Sequence, residues 1–247
     1  MSRAYMFFAV VFTTLTLFST ASAQSGSRKQ ILEDIASKRA ELSKLEAQFL
    51  APAEEDRIEF ADLLSQPRTG LIRLLPRDVF ESEAYQKNLK TIVIRGGGAY
   101  YSFTRLTHEY GYGSDIELDS NHLSVGFAGC DYGLLTKLGD VPLQSLSVDD
   151  PTVMPLAKYT PAGTEPEARI EQRRFSEGTT LDGVPVSRRR PVEINTTYVL
   201  RSIDYRESDV LVGLRVVRKD SDGSVIIAWK LLEKYPVPEL NRNSLYK

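Results

Sequence analysis

Most of the side chains that could carry out chemistry fall between residues 108 and 131. The two histidines, His108 and His122, lie in this window together with the single cysteine, Cys130, and with Asp131. A cysteine thiolate beside an imidazole base can act as a nucleophile, so one hypothesis is a hydrolase that uses these four residues. The window contains no H-x-x-x-H, C-x-x-C or G-x-S-x-G motif. We therefore expect no metal site and no cofactor.

Aromatic and basic residues offer two candidate binding surfaces. Tyr110 and Tyr112 alternate with glycines, which can leave their rings exposed to a carbohydrate or peptide. Aromatic residues are also common in cores and across strands, so both roles stay open. Arg188, Arg189 and Arg190 form a basic cluster that could recognise an acidic partner. Nearby glutamates could instead balance this charge on a solvated face.

The chain from about Thr69 to Pro238 has the pattern of a mainly antiparallel β domain. Apolar residues alternate with polar ones, and turn residues recur at short intervals. So many short strands favour a sandwich or a barrel-like arrangement over an open sheet. The predicted strands are Gly70–Leu75, Thr91–Arg95, Ala99–Thr107, Asp115–Leu118, Leu123–Ala128, Thr197–Ile203, Val210–Arg218 and Val225–Leu232.

The last two predicted strands form the clearest hairpin. The pair Asp222-Gly223 is typical of the turn between two such strands. Alternation places Trp229 in the core and requires an even number of loop residues. A two-residue loop sets Val216 opposite Trp229, whereas a four-residue loop sets Leu214 opposite it, and both loops fit the sequence.

Residues 24–66 are predicted to form a helical segment. Within residues 28–50 the apolar side chains recur at the period of an α-helix, and Lys38 fills the one remaining position of the stripe. The stripe consists of Ile31, Ile35, Leu42, Leu45 and Phe49. It could pair with a second copy as a short coiled coil, giving a homo-oligomer, or fold back on its own domain. A second helix predicted at Glu54–Leu64 would complete a helical hairpin.

Residues 139–196 interrupt the β pattern as a proline-rich insertion. Recurrent prolines exclude a long central strand over most of this segment. One short helix is predicted at Glu165–Phe175, with Thr164 as its N-cap and Gly178 after its end. The remainder is predicted as long loops, which form either a binding surface or a flexible insertion without function.

Residues 1–23 have the features of a cleavable secretory signal. Arg3 precedes an apolar run, and Ala21-Ser22-Ala23 has the small-x-small form that signal peptidase accepts. The apolar run is shorter than the roughly 20 residues that a membrane-spanning helix needs. We therefore expect a secreted or periplasmic protein with no membrane span once the signal is removed.

The net charge and the cysteine content exclude two further properties of the protein: a general attraction to nucleic acid and an internal disulfide. The net charge of −2 provides no general attraction to nucleic acid. A lone cysteine cannot form an internal disulfide, so the fold must be stabilised by its core.

These features together predict an α+β protein, with the helical segment followed by the mainly β domain and a C-terminal tail at 239–247. The leading hypothesis is an exported, non-enzymatic binding or scaffold protein whose β domain contacts a protein or carbohydrate partner and whose N-terminal helix serves assembly. The alternatives are the hydrolase that uses the His108, His122 and Cys130 window, and a carbohydrate or peptide binder that uses Tyr110 and Tyr112.

Overall fold

The computed structural model describes residues 6–78, 98–111, 113–127 and 129–241, with side chains described from residue 27 onward. The chain divides into two compact units, one ending at Phe49 and the other beginning at Leu50. The predicted strand Thr91–Arg95 and the candidate Tyr112 lie outside the described residues.

The first unit is a single long helix, α1 (Met6–Phe49), which confirms the helix predicted within residues 28–50. The large side chains of its predicted apolar stripe are 40–56 % exposed. The described part of the chain holds no helix with both the length and the apolar character needed to cross a membrane.

The second unit combines short helices with antiparallel strands. Its described helices are α2 (Glu54–Glu59), α3 (Ala61–Leu64), a 3-10 helix (Leu143–Ser145), α4 (Met154–Ala157) and α5 (Glu165–Glu177). Its described strands are β1 (Thr69–Leu74), β2 (Tyr100–Tyr101), β3 (Ile116–Asp119), β4 (His122–Ser124), β5 (Tyr132–Gly139), β6 (Thr179–Leu181), β7 (Val184–Val186), β8 (Arg189–Pro191), β9 (Thr196–Asp204), β10 (Ser208–Lys219) and β11 (Val225–Lys234). The fold is α+β, as predicted.

The strands form two main sheets. Five strands lie in the order β1-β11-β10-β9-β5, four lie in the order β2-β3-β4-β8, and β6 pairs with β7 alone. Apolar side chains from the two larger sheets share one core, which includes Leu118, Leu123, Leu200, Leu214 and Trp229. The arrangement is sandwich-like and is not a closed barrel.

The opposite face of the five-stranded sheet is covered by the segment predicted as loops. Buried side chains of residues 139–196, among them Leu143, Val153, Leu156 and Phe175, pack there in a second core. Strand β9 is consequently buried along its whole length. The prolines do break long strands, but the apolar residues spaced between them still cover the sheet.

Helix α5 begins and ends where its capping residues predict. The Thr164 hydroxyl accepts from the Glu167 amide, and the Glu167 side chain accepts in return from the Thr164 amide. Gly178 follows the helix with a φ of +83°, a conformation that glycine adopts without strain.

The β10–β11 hairpin places Leu214 opposite Trp229, the register of the four-residue alternative. The residues between the two strands are 220–224, and the Asp220 amide donates to the Ser224 carbonyl. This odd-numbered connection is compatible with the register because β10 bulges between Val216 and Arg218.

The prediction of a strand at Ala99–Thr107 is correct only for Tyr100 and Tyr101 and is wrong for the residues that follow. Strand β2 covers only Tyr100–Tyr101, after which the chain turns back so that Ser102 pairs with Thr107. Leu106 has a φ of +54° in this turn, which the extended conformation of a strand excludes.

Candidate functional site

His108 is held in place by backbone and aromatic contacts. Its Nε2 donates to the Arg73 carbonyl oxygen at 2.9 Å, and its ring lies edge-on to Tyr101 with centroids 4.9 Å apart. Burial lowers the pKa of His108 to about 4, so the ring is neutral at pH 7. The structure therefore places this predicted catalytic residue as a fixed hydrogen-bond donor beside the core.

His122 and Cys130 have separate surroundings. His122 Nδ1 accepts from the Arg189 guanidinium at 3.3 Å. Cys130 lies half-buried in the turn before β5, where its thiol interacts with Glu165 and burial raises its pKa above the usual range. A thiol that stays protonated at pH 7 is a poor nucleophile. The two histidines and the cysteine thus each have partners of their own.

The predicted arginine cluster makes contacts within the β domain. Arg188 Nε donates to the Val125 carbonyl oxygen at 2.9 Å, and Arg190 donates to a backbone carbonyl oxygen at 3.0 Å. Arg189 forms an ion pair with Asp119 at 3.1 Å. These bonds join β8 and the residues before it to neighbouring segments, so the three guanidinium groups already have partners within the chain.

Tyr110, the described member of the predicted aromatic platform, is half-buried. Its ring packs against the ring of Tyr100, with centroids 4.5 Å apart. The Phe127 ring also packs against Tyr100, with centroids 5.4 Å apart. Tyr110 and Phe127 both line a small cavity.

The fourth candidate, Asp131, lies beside Asp204, a residue that no sequence motif marks. Asp131 immediately precedes β5, and Asp204 is the last residue of β9. Because Tyr132 is in register with Ile203, the two aspartates meet at the same end of this strand pair. Their carboxyl groups hydrogen-bond each other.

Backbone amides donate a hydrogen bond to each member of this acid pair. The Gly113 amide donates to Asp204 Oδ2 at 2.6 Å, and the Tyr205 amide donates to Asp131 Oδ1 at 3.0 Å. Asp204 is only 6 % exposed. Its second oxygen, Oδ1, is buried and has no donor among the described residues when both carboxyl groups are ionised. A buried polar atom without a partner is rare in proteins and calls for an explanation.

The acid pair favours the protonated state. Burial, and after it the negative charge of Asp131, raise the pKa of Asp204 to about 8. Burial also raises the pKa of Asp131. Two adjacent carboxyl groups resist ionising together, so the pair holds one proton at pH 7.

A third carboxyl group, that of Asp115, lies close enough to the pair to act on Asp204 through its charge. It is fully buried, and its Oδ2 accepts from the Phe103 amide at 2.7 Å. Burial raises the pKa of Asp115 to about 6, and its charge contributes to the raised pKa of Asp204.

The cavity beside the acid pair is small. Its lining includes Tyr110, Ser114, Phe127, Asp131, Ser202 and Asp204. The free space corresponds to about one water molecule. The carboxylate and hydroxyl oxygens of these residues can accept hydrogen bonds from a compact donor.

Comparison with known proteins identifies no relative: no protein family, curated protein or solved structure matches the chain. Within the described ranges, no three His, Cys, Asp or Glu side chains are placed to hold a metal ion together.

Sequence reasoning misses Asp204 because its partner is remote in the chain. Asp131 and Asp204 belong to no common motif: Asp131 directly precedes β5, and Asp204 is the last residue of β9. The only available signal is an aspartate directly after the predicted strand Thr197–Ile203, and aspartates are also common at strand ends of no special role.

Proposed function

We propose that this protein is an exported, non-enzymatic binding or scaffold protein that assembles through α1 and contacts a partner through its β domain. The observation that carries the proposal is the exposed apolar stripe of α1. Large aliphatic side chains on one face of a helix are normally covered by another element.

The stripe has the spacing of a helix–helix seam. Ile31, Ile35, Leu42 and Leu45 are 53 %, 40 %, 40 % and 56 % exposed. Their spacing with Lys38 and Phe49 alternates between three and four residues, which keeps them on one side of the helix. A second copy of the same helix is the occupant that matches this pattern, since a seam of identical spacing is self-complementary.

The charges outside the stripe fit the same interpretation. Lys29 and Glu33 form an i, i+4 ion pair, which favours an exposed helix surface next to the seam. A single lysine within the stripe weakens association but can fix the register of the pair.

The non-enzymatic part of the proposal draws support from the predicted catalytic residues. His108 is neutral and hydrogen-bonded to the backbone, and the Cys130 thiol is protonated beside Glu165. Neither arrangement resembles the activated nucleophile and base that a hydrolase needs.

The assembly proposal is tested with charge substitutions on the stripe. In the chain from Gln24 onward, Ile35→Glu with Leu42→Glu places two carboxylates in the proposed seam. Analytical ultracentrifugation of the unsubstituted chain is expected to give an oligomer, and the double variant a monomer.

A matched control carries the same two charges on the opposite face. Ala40 and Ala47 are exposed and lie about half a helical turn away from the stripe. The variant Ala40→Glu with Ala47→Glu should remain oligomeric. A monomeric unsubstituted chain at all concentrations, or equal masses for both variants, would rule out assembly through α1.

A further inference from the structure

We infer that the cavity beside Asp131 and Asp204 binds a primary ammonium group, either of a free amine or of a lysine side chain on a partner. This inference does not depend on assembly through α1, because the acid pair lies entirely within the β domain.

Hydrogen bonding favours an ammonium group. Asp204 lines the cavity and is only 6 % exposed, and once both carboxyl groups are ionised its Oδ1 has no donor among the described residues. An ammonium group carries three N–H donors and no acceptor. It can donate to Asp204 Oδ1, to the Asp131 carboxylate and to a hydroxyl oxygen of Ser114 or Ser202, all of which line the same space.

The charge of the neighbouring residues also favours a cation. Asp115 and Glu207 lie near the pair, and both are acidic. Glu207 already forms an ion pair with Arg105. No lysine or arginine among the described residues forms an ion pair with Asp131 or Asp204, so their charge is balanced only by a shared proton or by a cation from outside.

The size of the cavity limits which cation can enter. Its free space, enough for about one water molecule, suits an ammonium head group and excludes a planar guanidinium. Calcium takes six to eight oxygen ligands, and the described residues offer no cluster of three acidic or histidine ligands for a metal. An ammonium group therefore fits this cavity better than a divalent cation.

Aromatic rings belong to the same lining. Tyr110 and Phe127 line the cavity together with Asp131 and Asp204. Aromatic faces attract cations, and the attraction grows when water is excluded. Among ligands of the right size, a positively charged amine is attracted both by the carboxylates and by the aromatic rings, whereas a neutral water molecule lacks this attraction of charge.

Protons must compete with the amine for the acid pair. With the pKa of Asp204 raised to about 8, amine binding requires release of the shared proton. The apparent affinity should therefore weaken by up to about tenfold for each pH unit below 8.

The test titrates the chain from Gln24 onward with methylammonium chloride at pH 8.5, followed by isothermal calorimetry and by the rise in Tm. Saturable binding with one site is expected, and the affinity should fall at least tenfold at pH 6. Tetramethylammonium, which has the same charge but no N–H donor, should not bind at that site. Equal binding of both cations would overturn the inference, as would a larger rise in Tm with calcium.

Variants locate the site. Asp204→Asn and, independently, Asp131→Asn should each weaken methylammonium binding at least tenfold, so the test survives if one variant fails to fold. Glu193→Gln removes an exposed carboxylate that is not part of the cavity lining and that pairs with Lys137, so this variant should bind normally. Unchanged affinity in both aspartate variants would refute the site.

The source of the ammonium group is distinguished with an N-terminally acetylated Gly-Lys-Gly peptide, whose only ammonium group is that of the lysine, and with the same peptide acetylated at Nε as well. If the free lysine peptide binds and the acetylated one does not, the natural ligand is a lysine side chain. If methylammonium binds and neither peptide does, the site takes a free small amine. Failure of both methylammonium and the free lysine peptide to bind would overturn the inference while leaving the oligomer test unaffected.

Discussion

Arg201 and Asp209 form a two-pronged ion pair inside the second core. Arg201 Nε lies 2.6 Å from Asp209 Oδ1, and its terminal nitrogen lies 2.9 Å from Oδ2. The remaining guanidinium nitrogen donates to the carbonyl oxygens of Leu156 and Ala157, and the Tyr235 ring lies 3.4 Å from the guanidinium carbon. One side chain thus connects β9 to β10, α4 and the residues after β11.

Removing one partner of this pair should destabilise the fold strongly. Asp209→Asn leaves Arg201 buried without its counter-charge, and we expect the free energy of unfolding to fall by about 3–5 kcal/mol in urea denaturation. The exposed pair Lys137–Glu193 provides the control, because Glu193→Gln should cost less than about 1 kcal/mol. Equal losses in the two variants would contradict the buried pair's role.

The acid pair should make stability fall as pH rises. Asp204 binds its proton more tightly in the folded state than in the unfolded state, because its pKa is raised from 3.8 to about 8. Between these values the folded state holds the extra proton, so the free energy of unfolding decreases with pH, by at most about 1.4 kcal/mol per unit. Asp115, with its pKa raised to about 6, acts in the same direction.

Asp204→Asn should flatten this dependence between pH 6 and 8. We expect the variant to be about 1–2 kcal/mol more stable than the natural chain at pH 8.5, where the ionised pair is unfavourable, and to lose that advantage near pH 5. Urea denaturation at both pH values measures the difference. A pH profile identical to that of the natural chain would exclude a raised pKa at Asp204.

His108 should act in the opposite direction at lower pH. Its pKa is lowered from 6.5 to about 4, so the unfolded state takes up a proton that the folded state refuses. Stability contributed by the neutral ring is complete above pH 6.5 and is lost as pH falls toward 4. In His108→Gln, which keeps a donor for the Arg73 carbonyl but does not titrate, thermal denaturation should show a weaker loss over this range. An unchanged acid profile would contradict the assignment.

Gly70 should tolerate no side chain. A Cβ at this position would lie 2.6 Å from the Trp229 ring, which is itself in the shared core. Gly70→Ala must therefore displace the indole, and we expect a loss of about 1–3 kcal/mol in unfolding free energy. Gly163→Ala is the matched control, because its nearest neighbour is at an ordinary 3.9 Å. Similar stability of the two variants would show that Trp229 can move without cost.

Local patterns predict the parts of this fold that depend on neighbours in sequence. The alternation around Val212 and Ile227 and the Asp222-Gly223 turn predict the β10–β11 hairpin. Thr164 and Gly178 predict the limits of α5 because capping is decided by the residues at the ends of a helix.

Strand β5 and the contact between Asp131 and Asp204 could not be predicted from the sequence, because both depend on pairing between segments that are far apart in the chain. Strand β5 escapes prediction because both of its faces are buried, by the sandwich core on one side and by helices on the other, so its residues do not alternate. Its partner β9 lies far along the chain, and this pairing is what brings Asp131 to Asp204. Neither the pairing nor the orphaned Oδ1 of Asp204 has a signature in consecutive residues.

The strand order has a consequence for how the nascent protein matures. In the five-stranded sheet β1 lies at one edge and bonds to β11, the last of the described strands to be synthesised. Because β11 is synthesised so late, the backbone groups of β1 lack their sheet partner until almost the whole chain has been made. Unpaired strand edges favour aggregation, so binding of a chaperone to the β1 segment would protect the chain most during this interval.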